Sequence, residues 1–209
     1  MHSCSRPTVL PQEVFRTDAK CAKGKVVLGG HHLQTGQWFS ITLTEKEVPY
    51  LFKRDGETQW ASTSAELLAV LVALVLFGFL ETGSPGHVVP LVLTAGTDNL
   101  ANQFLLRKGL TTKWPLCIIY MQLTEFLMAK NVCVDLRWRP RGENTLADAL
   151  TNEDFTGVDL KKRLVCDWGD FQFHLITRLW NEREGYLDKD MLRSTAQIVN
   201  LGKFEKSDW

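Results

Sequence analysis

The chain has 209 residues, of which 44% are hydrophobic and 10% aromatic. This composition excludes a wholly disordered chain, and at about 150 residues per domain the length predicts one domain with a remainder. The 24 basic residues balance the 24 acidic residues, but residues 101–142 carry seven Lys or Arg against two Asp or Glu. A nucleic-acid partner therefore stays open despite the neutral total.

No segment is typical of secretion or membrane insertion. The longest apolar run, Leu67–Leu80, has fourteen residues, fewer than a helix needs to cross the hydrocarbon layer. Met1–Leu10 has no apolar stretch like that of a signal peptide. Five cysteines without a Cys-x-x-Cys pair indicate neither a disulfide framework nor a zinc knuckle. We expect an intracellular protein, nuclear or cytoplasmic, without a membrane partner.

The first part of the chain predicts three strands joined by short turns. The segments Val14–Thr17, Val26–Leu28 and Trp38–Leu43 are rich in β-branched and aromatic residues. Gly29-Gly30 predicts a bulge or a close approach of another group to the backbone. Consecutive strands with short connections favour an antiparallel meander.

Helices then alternate with strands. A hydroxyl residue among Ser62–Ser64 is predicted to cap a helix that carries the apolar run and must be covered on all sides. The elements that follow are a buried strand at Val88–Leu93, helices at 99–107 and Pro115–Lys130, a strand at Val132–Trp138 and a helix from Asn144. This order predicts a mixed α/β fold with a five-stranded sheet and flanking helices.

The predicted organisation has three parts. Residues 1–13 form an N-terminal lead, and residues 14–155 form the domain. Residues 156–209 form a C-terminal extension, in which Leu175–Trp180 predicts part of a helix.

Four carboxylates lie at the ends of predicted elements. Asp18 is flanked by strand residues, and Glu66 is predicted to lie in the first turn of the apolar helix. Asp98 follows the fourth strand, and Asp148 lies in the first turn of the last helix of the domain. Taken singly, Glu66 and Asp148 can be explained by helix dipoles and Asp98 by helix capping. Taken together they favour an acidic site, because buried carboxylates are rare unless they are paired or bound to a metal.

The segments around these acids resemble the four acidic motifs of ribonuclease H type 1 domains, particularly those at the carboxyl end of retroelement reverse transcriptases. They are Thr17-Asp18-Ala19, Ser64–Ala69, Thr97-Asp98-Asn99 and Glu143–Leu150. The Asn-x-x-Ala-Asp-x-Leu pattern in the last segment is the most specific of the four. The resemblance covers residues 14–155 and implies the RNase H-like fold, a five-stranded mixed sheet on which the four acids converge.

The resemblance also implies metal-dependent hydrolysis of the RNA strand of RNA–DNA hybrids by a retroelement-derived chain. Asp18, Glu66, Asp98 and Asp148 would be the catalytic residues and would bind two Mg²⁺ ions, for which Mn²⁺ can substitute. The residue types agree with this chemistry, because Mg²⁺ prefers oxygen ligands. Two such ions can clamp the attacking water and the leaving oxygen of an in-line displacement.

Candidates for contact with the nucleic acid lie beside these acids. Asn99, Asn102 and Gln103 follow Asp98 and are candidates for contact with the RNA strand and its 2′-hydroxyls. The polar face of a surface helix is an equally good explanation for these three residues. Arg139 and Arg141 share the basic turn that leads to Asp148, and we expect them to contact phosphates.

Alternatives to a ribonuclease stay open. Many ribonuclease H domains have a histidine in the loop before the last acid, and Arg139–Thr145 contains none. Either the chain belongs to the retroelement branches that lack this histidine, or its turnover is weak. One alternative is therefore a catalytically weak or inactive RNase H-like module that binds nucleic acid. The same fold also serves nucleases and transposases that act on DNA, and a plain interaction scaffold would bind no nucleic acid. Metal binding and choice of substrate discriminate among these functions.

Overall fold

A computed structural model describes residues 12–82 and 90–186 of the chain. The first residues of the strand predicted at Val88–Leu93 lie outside the described residues. The chain divides into two units, Met1–Gln172 and Phe173–Trp209. The first unit contains the sheet and every candidate site residue, and it includes residues 156–172. The predicted domain end at residue 155 stays a prediction.

Five strands form one mixed sheet in the order β3-β2-β1-β4-β5. They are β1 (Glu13–Ala22), β2 (Lys25–His32), β3 (Trp38–Leu43), β4 (Leu91–Thr97) and β5 (Val132–Trp138). The first three strands are antiparallel neighbours, and β4 and β5 extend the sheet from β1 as parallel strands. The predicted fold class is confirmed. One detail differs, because Leu91 and Val92 are exposed and β4 is buried only from Leu93 onward.

The first unit has five α-helices among the described residues. They are α1 (Ser62–Leu76), α2 (Phe79–Thr82), α3 (Leu100–Lys108), α4 (Leu116–Lys130) and α5 (Thr145–Thr151). Both α1 and α5 pack against β1 and β2. They lie on opposite faces, because side chains alternate along a strand: Phe15 contacts Phe77 beyond the end of α1, whereas Asp18 bonds to Thr151 of α5.

The apolar helix α1 is the core of the unit. Every residue from Leu67 to Leu74 is buried, which confirms the predicted core helix. By length and composition Gln59–Leu76 is apolar enough to cross a membrane, with a mean hydropathy of 1.6, but 61% of this stretch is buried inside the fold. The helix ends at Leu76 rather than Leu80, because Gly78 adopts a left-handed conformation and turns the chain. The predicted hydroxyl cap is wrong, since Ala61 precedes the helix and makes no side-chain cap bond.

The pair Gly29-Gly30 lies within β2, and no bulge interrupts its pairing with β1 or β3. The other prediction for this pair, a close approach to the backbone, is confirmed. A Cβ atom on Gly29 would lie 2.9 Å from the methyl carbon of Thr151, and one on Gly30 would lie 2.6 Å from the ring of Phe39. The absence of a side chain at Gly29 therefore lets α5 lie directly on the sheet.

The segment after α5 covers the outer edge of β3. Trp38 is fully buried, stacks on Phe155 at 5.2 Å between ring centroids and donates from its indole nitrogen to the Asp159 carbonyl at 2.8 Å. The Arg163 guanidinium lies 5.3 Å from the ring centroids of both Trp38 and Phe155, and the Leu164 N–H donates to the Trp38 carbonyl. Residues 155–164 are thus packed into the first unit.

The described part of the second unit is one helix, α6 (His174–Tyr186). It contains the predicted helical residues Leu175–Trp180. Within this unit the Arg183 guanidinium lies 3.8 Å from the centre of the Trp180 ring.

Candidate metal centre

The fold brings four acids from four elements toward one end of the β1–β4 pair. Arg16 of β1 pairs with Gly96 of the parallel strand β4. Asp18 lies two residues farther along β1, and Asp98 lies two residues after Gly96, just past the end of β4. Glu66 is the fifth residue of α1, and Asp148 lies in the first turn of α5. The acids are therefore positioned by strand register and by two helices packed on the same strands.

Asp18, Glu66 and Asp98 form a cluster that we call the acidic triad. Each offers a carboxylate oxygen, and these atoms all lie within 4.8 Å of one another. Asp18 is buried, and the other two are half-buried. Asp148 lies outside this set but near enough to raise the pKa of Asp18 and of Asp98 by charge repulsion. The structure thus assembles three of the four predicted ligands and places the fourth beside them.

The pKa of each triad acid is raised, and burial is the largest cause at all three. Burial is the largest cause of a raised pKa at Asp18, and the charges of Asp98 and Asp148 add to it. Burial also raises the pKa of Glu66 to about 8, helped by repulsion from Asp98 and Asp18 and opposed by hydrogen bonds from Asn99 and Thr97. A divalent cation would remove this repulsion, because its charge offsets the carboxylates.

The donor set of the triad fits a hard cation. Carboxylate oxygens are the ligands that Mg²⁺ and Mn²⁺ favour. The Oδ1 atom of Asp98 is buried and has no hydrogen-bond partner among the described residues, an arrangement that is unfavourable for a carboxylate without a cation nearby. In contrast, the Glu66 carboxylate is held by Asn99 Nδ2 at 3.1 Å and Thr97 Oγ1 at 3.3 Å.

Helix capping does not explain Asp98, and a helix dipole does not explain Glu66. Asn99, not Asp98, caps α3, because its side-chain oxygen accepts from the Asn102 N–H at 3.2 Å. Glu66 lies beyond the first turn of α1, where the helix dipole has little effect. Asp148 does lie in the first turn of α5, so a favourable interaction with the dipole applies to it.

The three polar candidates after Asp98 have different surroundings. Asn99 bonds to Glu66 and so belongs to the site. Asn102 is fully buried and its amide donates to the Thr63 carbonyl, which joins α3 to α1; its side chain has no surface with which to contact nucleic acid. Gln103 is half-buried and accepts from the Trp138 N–H at 3.3 Å. The nucleic-acid roles of Asn99 and Gln103 stay predictions.

The two arginines of the basic turn also differ. Arg139 forms an ion pair with the buried carboxylate of Glu13, which Arg16 also contacts. Arg141 is 78% exposed and bonds through Nη2 to Asp148 Oδ1 at 3.0 Å. Arg141 is therefore the more accessible of the two for a phosphate, and it also orients Asp148.

The sequence analysis did not predict three residues that lie near the acids. The Thr151 hydroxyl lies 2.8 Å from Asp18 Oδ2, Asn152 Nδ2 donates to Asp148 Oδ2 at 3.0 Å, and Lys20 Nζ donates to Asn152 Oδ1 at 2.6 Å. All three line a cavity of about 360 Å³ that Asp18 and Asp148 share. Helical spacing is the signal that could have found two of them, because Thr151 and Asn152 lie three and four residues after Asp148.

The chain was compared with protein-family models, curated proteins and solved structures. No protein-family model matches the chain, and no curated protein matches its sequence. Among solved structures it is similar to LC11-RNase H1, isolated from compost, in complex with an RNA/DNA hybrid: the two are 18% identical over 66% of this chain and 93% of that one, with a TM-score of 0.50. RNase H1 from the halophilic archaeon Halobacterium salinarum is 17% identical over 69% of this chain and 97% of that one, with a TM-score of 0.47.

A viral structure also matches. The foamy viral protease-reverse transcriptase in complex with an RNA/DNA hybrid is 15% identical over 76% of this chain and 22% of that one, with a TM-score of 0.44. The likeness to LC11-RNase H1, together with the observed strand order, shows that the chain has the RNase H-like fold.

Proposed function

We propose that this chain is a metal-dependent endonuclease that hydrolyses the RNA strand of RNA–DNA hybrids. The observation that carries the proposal is the acidic triad, with Asp148 beside it, at the end of the β1–β4 pair of an RNase H-like fold. A solved structure with this fold, LC11-RNase H1, contains an RNA/DNA hybrid. The proposed cofactor is a pair of Mg²⁺ ions, with Mn²⁺ as a substitute.

Asp18, Glu66, Asp98 and Asp148 would hold the metal. When bound, the ions would supply activation of a water nucleophile and stabilisation of the charge on the leaving 3′ oxygen. The chain's own residues fix the ligands in advance: Asn99 and Thr97 hold Glu66. Asp148 is held in the same way by Arg141 on one oxygen and Asn152 on the other.

Recognition of the substrate is proposed to rest on phosphates and 2′-hydroxyls. The hybrid resembles A-form RNA, whose minor groove presents the hydroxyls that distinguish RNA from DNA. Arg141 is exposed next to the acids and suits a phosphate contact. Asn99 and Gln103 lie at the start of α3, beside Asp98. The retroelement reverse transcriptase origin is likewise a proposal, and its support is the motif resemblance in residues 14–155.

A cleavage assay with a labelled hybrid tests the function. We expect cleavage of the RNA strand in Mg²⁺, none with chelator, and little action on single-stranded RNA or duplex DNA. Asp18→Asn and Asp98→Asn should each abolish cleavage, because each removes one ligand charge while preserving size. The matched control is Asp55→Asn, which alters an exposed acid outside the triad and should cleave normally.

The alternative functions predict other results. Hybrid binding without cleavage would identify an inactive nucleic-acid-binding module. Cleavage of duplex DNA in preference to the hybrid would identify a DNA-acting nuclease or transposase. Cleavage that survives both substitutions would contradict the proposed role of the triad. Circular dichroism of each variant verifies that the fold is kept.

A further inference from the structure

Thr151 lies at the junction of the two elements that carry Asp18 and Asp148. Asp18 of β1 pairs directly with Gly29 of β2. The methyl carbon of Thr151 occupies the space above Gly29, and its hydroxyl lies 2.8 Å from Asp18 Oδ2. Thr151 is 2% exposed, and its hydroxyl has its partners within the fold.

The hydroxyl hydrogen has two acceptors within reach, Asp18 Oδ2 and the Asp148 carbonyl at 2.9 Å. The Asp148 carbonyl already accepts from the Asn152 N–H at 3.0 Å and from Asn152 Nδ2 at 2.7 Å. A carbonyl oxygen has two lone pairs, and these two donors use them. The Thr151 hydrogen is therefore left for Asp18, where a bond to a carboxylate is stronger than one to a neutral carbonyl.

We propose that Thr151 is a positioning residue that sets the orientation of the Asp18 carboxylate and its distance from Asp148. It does so by bonding to Asp18 while its own helix, resting on Gly29, carries Asp148 three residues earlier. The Oδ2 atom of Asp18 is thereby engaged by Thr151. This role rests on the proposed function, because it matters for activity only if the triad binds a metal.

Substitutions at Thr151 separate its hydroxyl from its methyl group. Thr151→Val keeps the shape and deletes the donor, whereas Thr151→Ser keeps the donor and deletes the methyl. We expect Thr151→Val to weaken Mn²⁺ binding to the free protein about tenfold, since a bond to a charged group is lost. Thr151→Ser should stay within about twofold of the unsubstituted chain. Calorimetric titration with Mn²⁺ alone measures both, and Thr145→Val, an exposed position on the same helix, is the control.

A second measurement needs no metal. In chelator, Thr151→Val should lower the Tm by about 2–4 °C in the unsubstituted chain. In the Asp18→Ala background, where the acceptor is gone, the same change should lower it by less than about 1 °C. This difference is the coupling between the two side chains.

The outcomes are distinct. Equal Tm changes in both backgrounds, or Thr151→Ser binding Mn²⁺ as poorly as Thr151→Val, would overturn the positioning role, because packing of the methyl group would then explain the residue. If the unsubstituted chain binds no Mn²⁺ while the coupling is present, the orientation of Asp18 by Thr151 is upheld and the proposed nuclease function fails.

Discussion

At the scale of single residues, Glu66 shows how the fold changes the chemistry of a side chain. An exposed glutamate has a pKa of about 4.3, whereas burial and neighbouring acids raise the pKa of Glu66 to about 8. The folded chain therefore holds a proton on Glu66 over a pH range in which the unfolded chain has lost it. A metal that binds Glu66 at neutral pH must displace that proton.

This difference predicts how the stability of the metal-free protein depends on pH. Because the folded state binds the extra proton, the free energy of unfolding should fall as pH rises from about 5 to 8, by up to about 1.4 kcal/mol per pH unit. Glu66→Gln should flatten this dependence, since it has no proton to lose. Urea unfolding in chelator at several pH values measures it. Glu45→Gln, at an exposed acid, should keep the original slope, and an unchanged slope in Glu66→Gln would contradict the prediction.

The contrasting surroundings of Arg139 and Arg141 predict unequal contributions to nucleic-acid binding. Arg141→Ala should reduce the slope of log affinity against log salt by about 0.9, the value for one lost phosphate contact on a duplex. Arg139→Ala should reduce it less, because Glu13 already offsets its charge. Hybrid binding measured in the Asp18→Asn background, to prevent cleavage, tests this. If Arg141→Ala has the same salt slope as the chain that keeps Arg141, then this arginine contacts solvent and no phosphate.

At the scale of elements, contact between α5 and β2 sets the position of Asp148. Ala147, Leu150 and Thr151 all face Gly29, and a Cβ atom there would come within 3.2 Å of each of them. The helix has seven residues, too few to be stable without packing. Its location therefore depends on this contact.

Gly29→Ala should accordingly disturb both stability and the site. We expect a loss of about 1–3 kcal/mol in the free energy of unfolding, typical of overpacking, and weaker Mn²⁺ binding because α5 is pushed away from Asp18. Denaturant unfolding and calorimetry measure the two effects. Gly169→Ala, where a Cβ would meet no atom within 4 Å, is the control. Unaltered stability in Gly29→Ala would mean that α5 shifts freely.

The local sequence pattern predicted the helices and strands better than it predicted the contacts between them. The strand predicted at Val132–Trp138 is observed with the same bounds, since alternating β-branched residues are a local signal. The end of α1 was missed because Phe77 is as apolar as the helix it follows. The burial of Asn102 was also missed, because its contact with the Thr63 carbonyl joins two separate helices.

At the scale of the whole molecule, the site combines residues that are far apart in sequence. Asp18, Glu66 and Asp98 were predicted as one group because their motifs resemble a known family, and the fold brings them together. Thr151 and Asp18 are 133 positions apart, and Arg139 and Glu13 are 126 apart. No local pattern reveals such pairs, since each member is ordinary in its own segment. The catalytic roles of the four acids stay predictions.

The packing of residues 155–164 on β3 predicts where the first unit ends. A chain that ends at residue 155 should be less stable than one that ends at residue 172 by about 2–3 kcal/mol, because Trp38 loses its cover. Denaturant unfolding of the two chains provides the comparison. Equal stability would show that the later segment adds nothing to the domain.

The cover over β3 has a consequence for solubility. On the outer side of β3, the Leu164 N–H donates to the Trp38 carbonyl, and a parallel β-bridge joins Trp38 to Arg163. An uncovered edge strand is a template on which further copies of a chain can add. A fragment that ends at residue 155 would present this edge and would lose the Asp159 carbonyl that accepts from the Trp38 indole, so it should aggregate during recombinant expression while the longer chain stays dispersed.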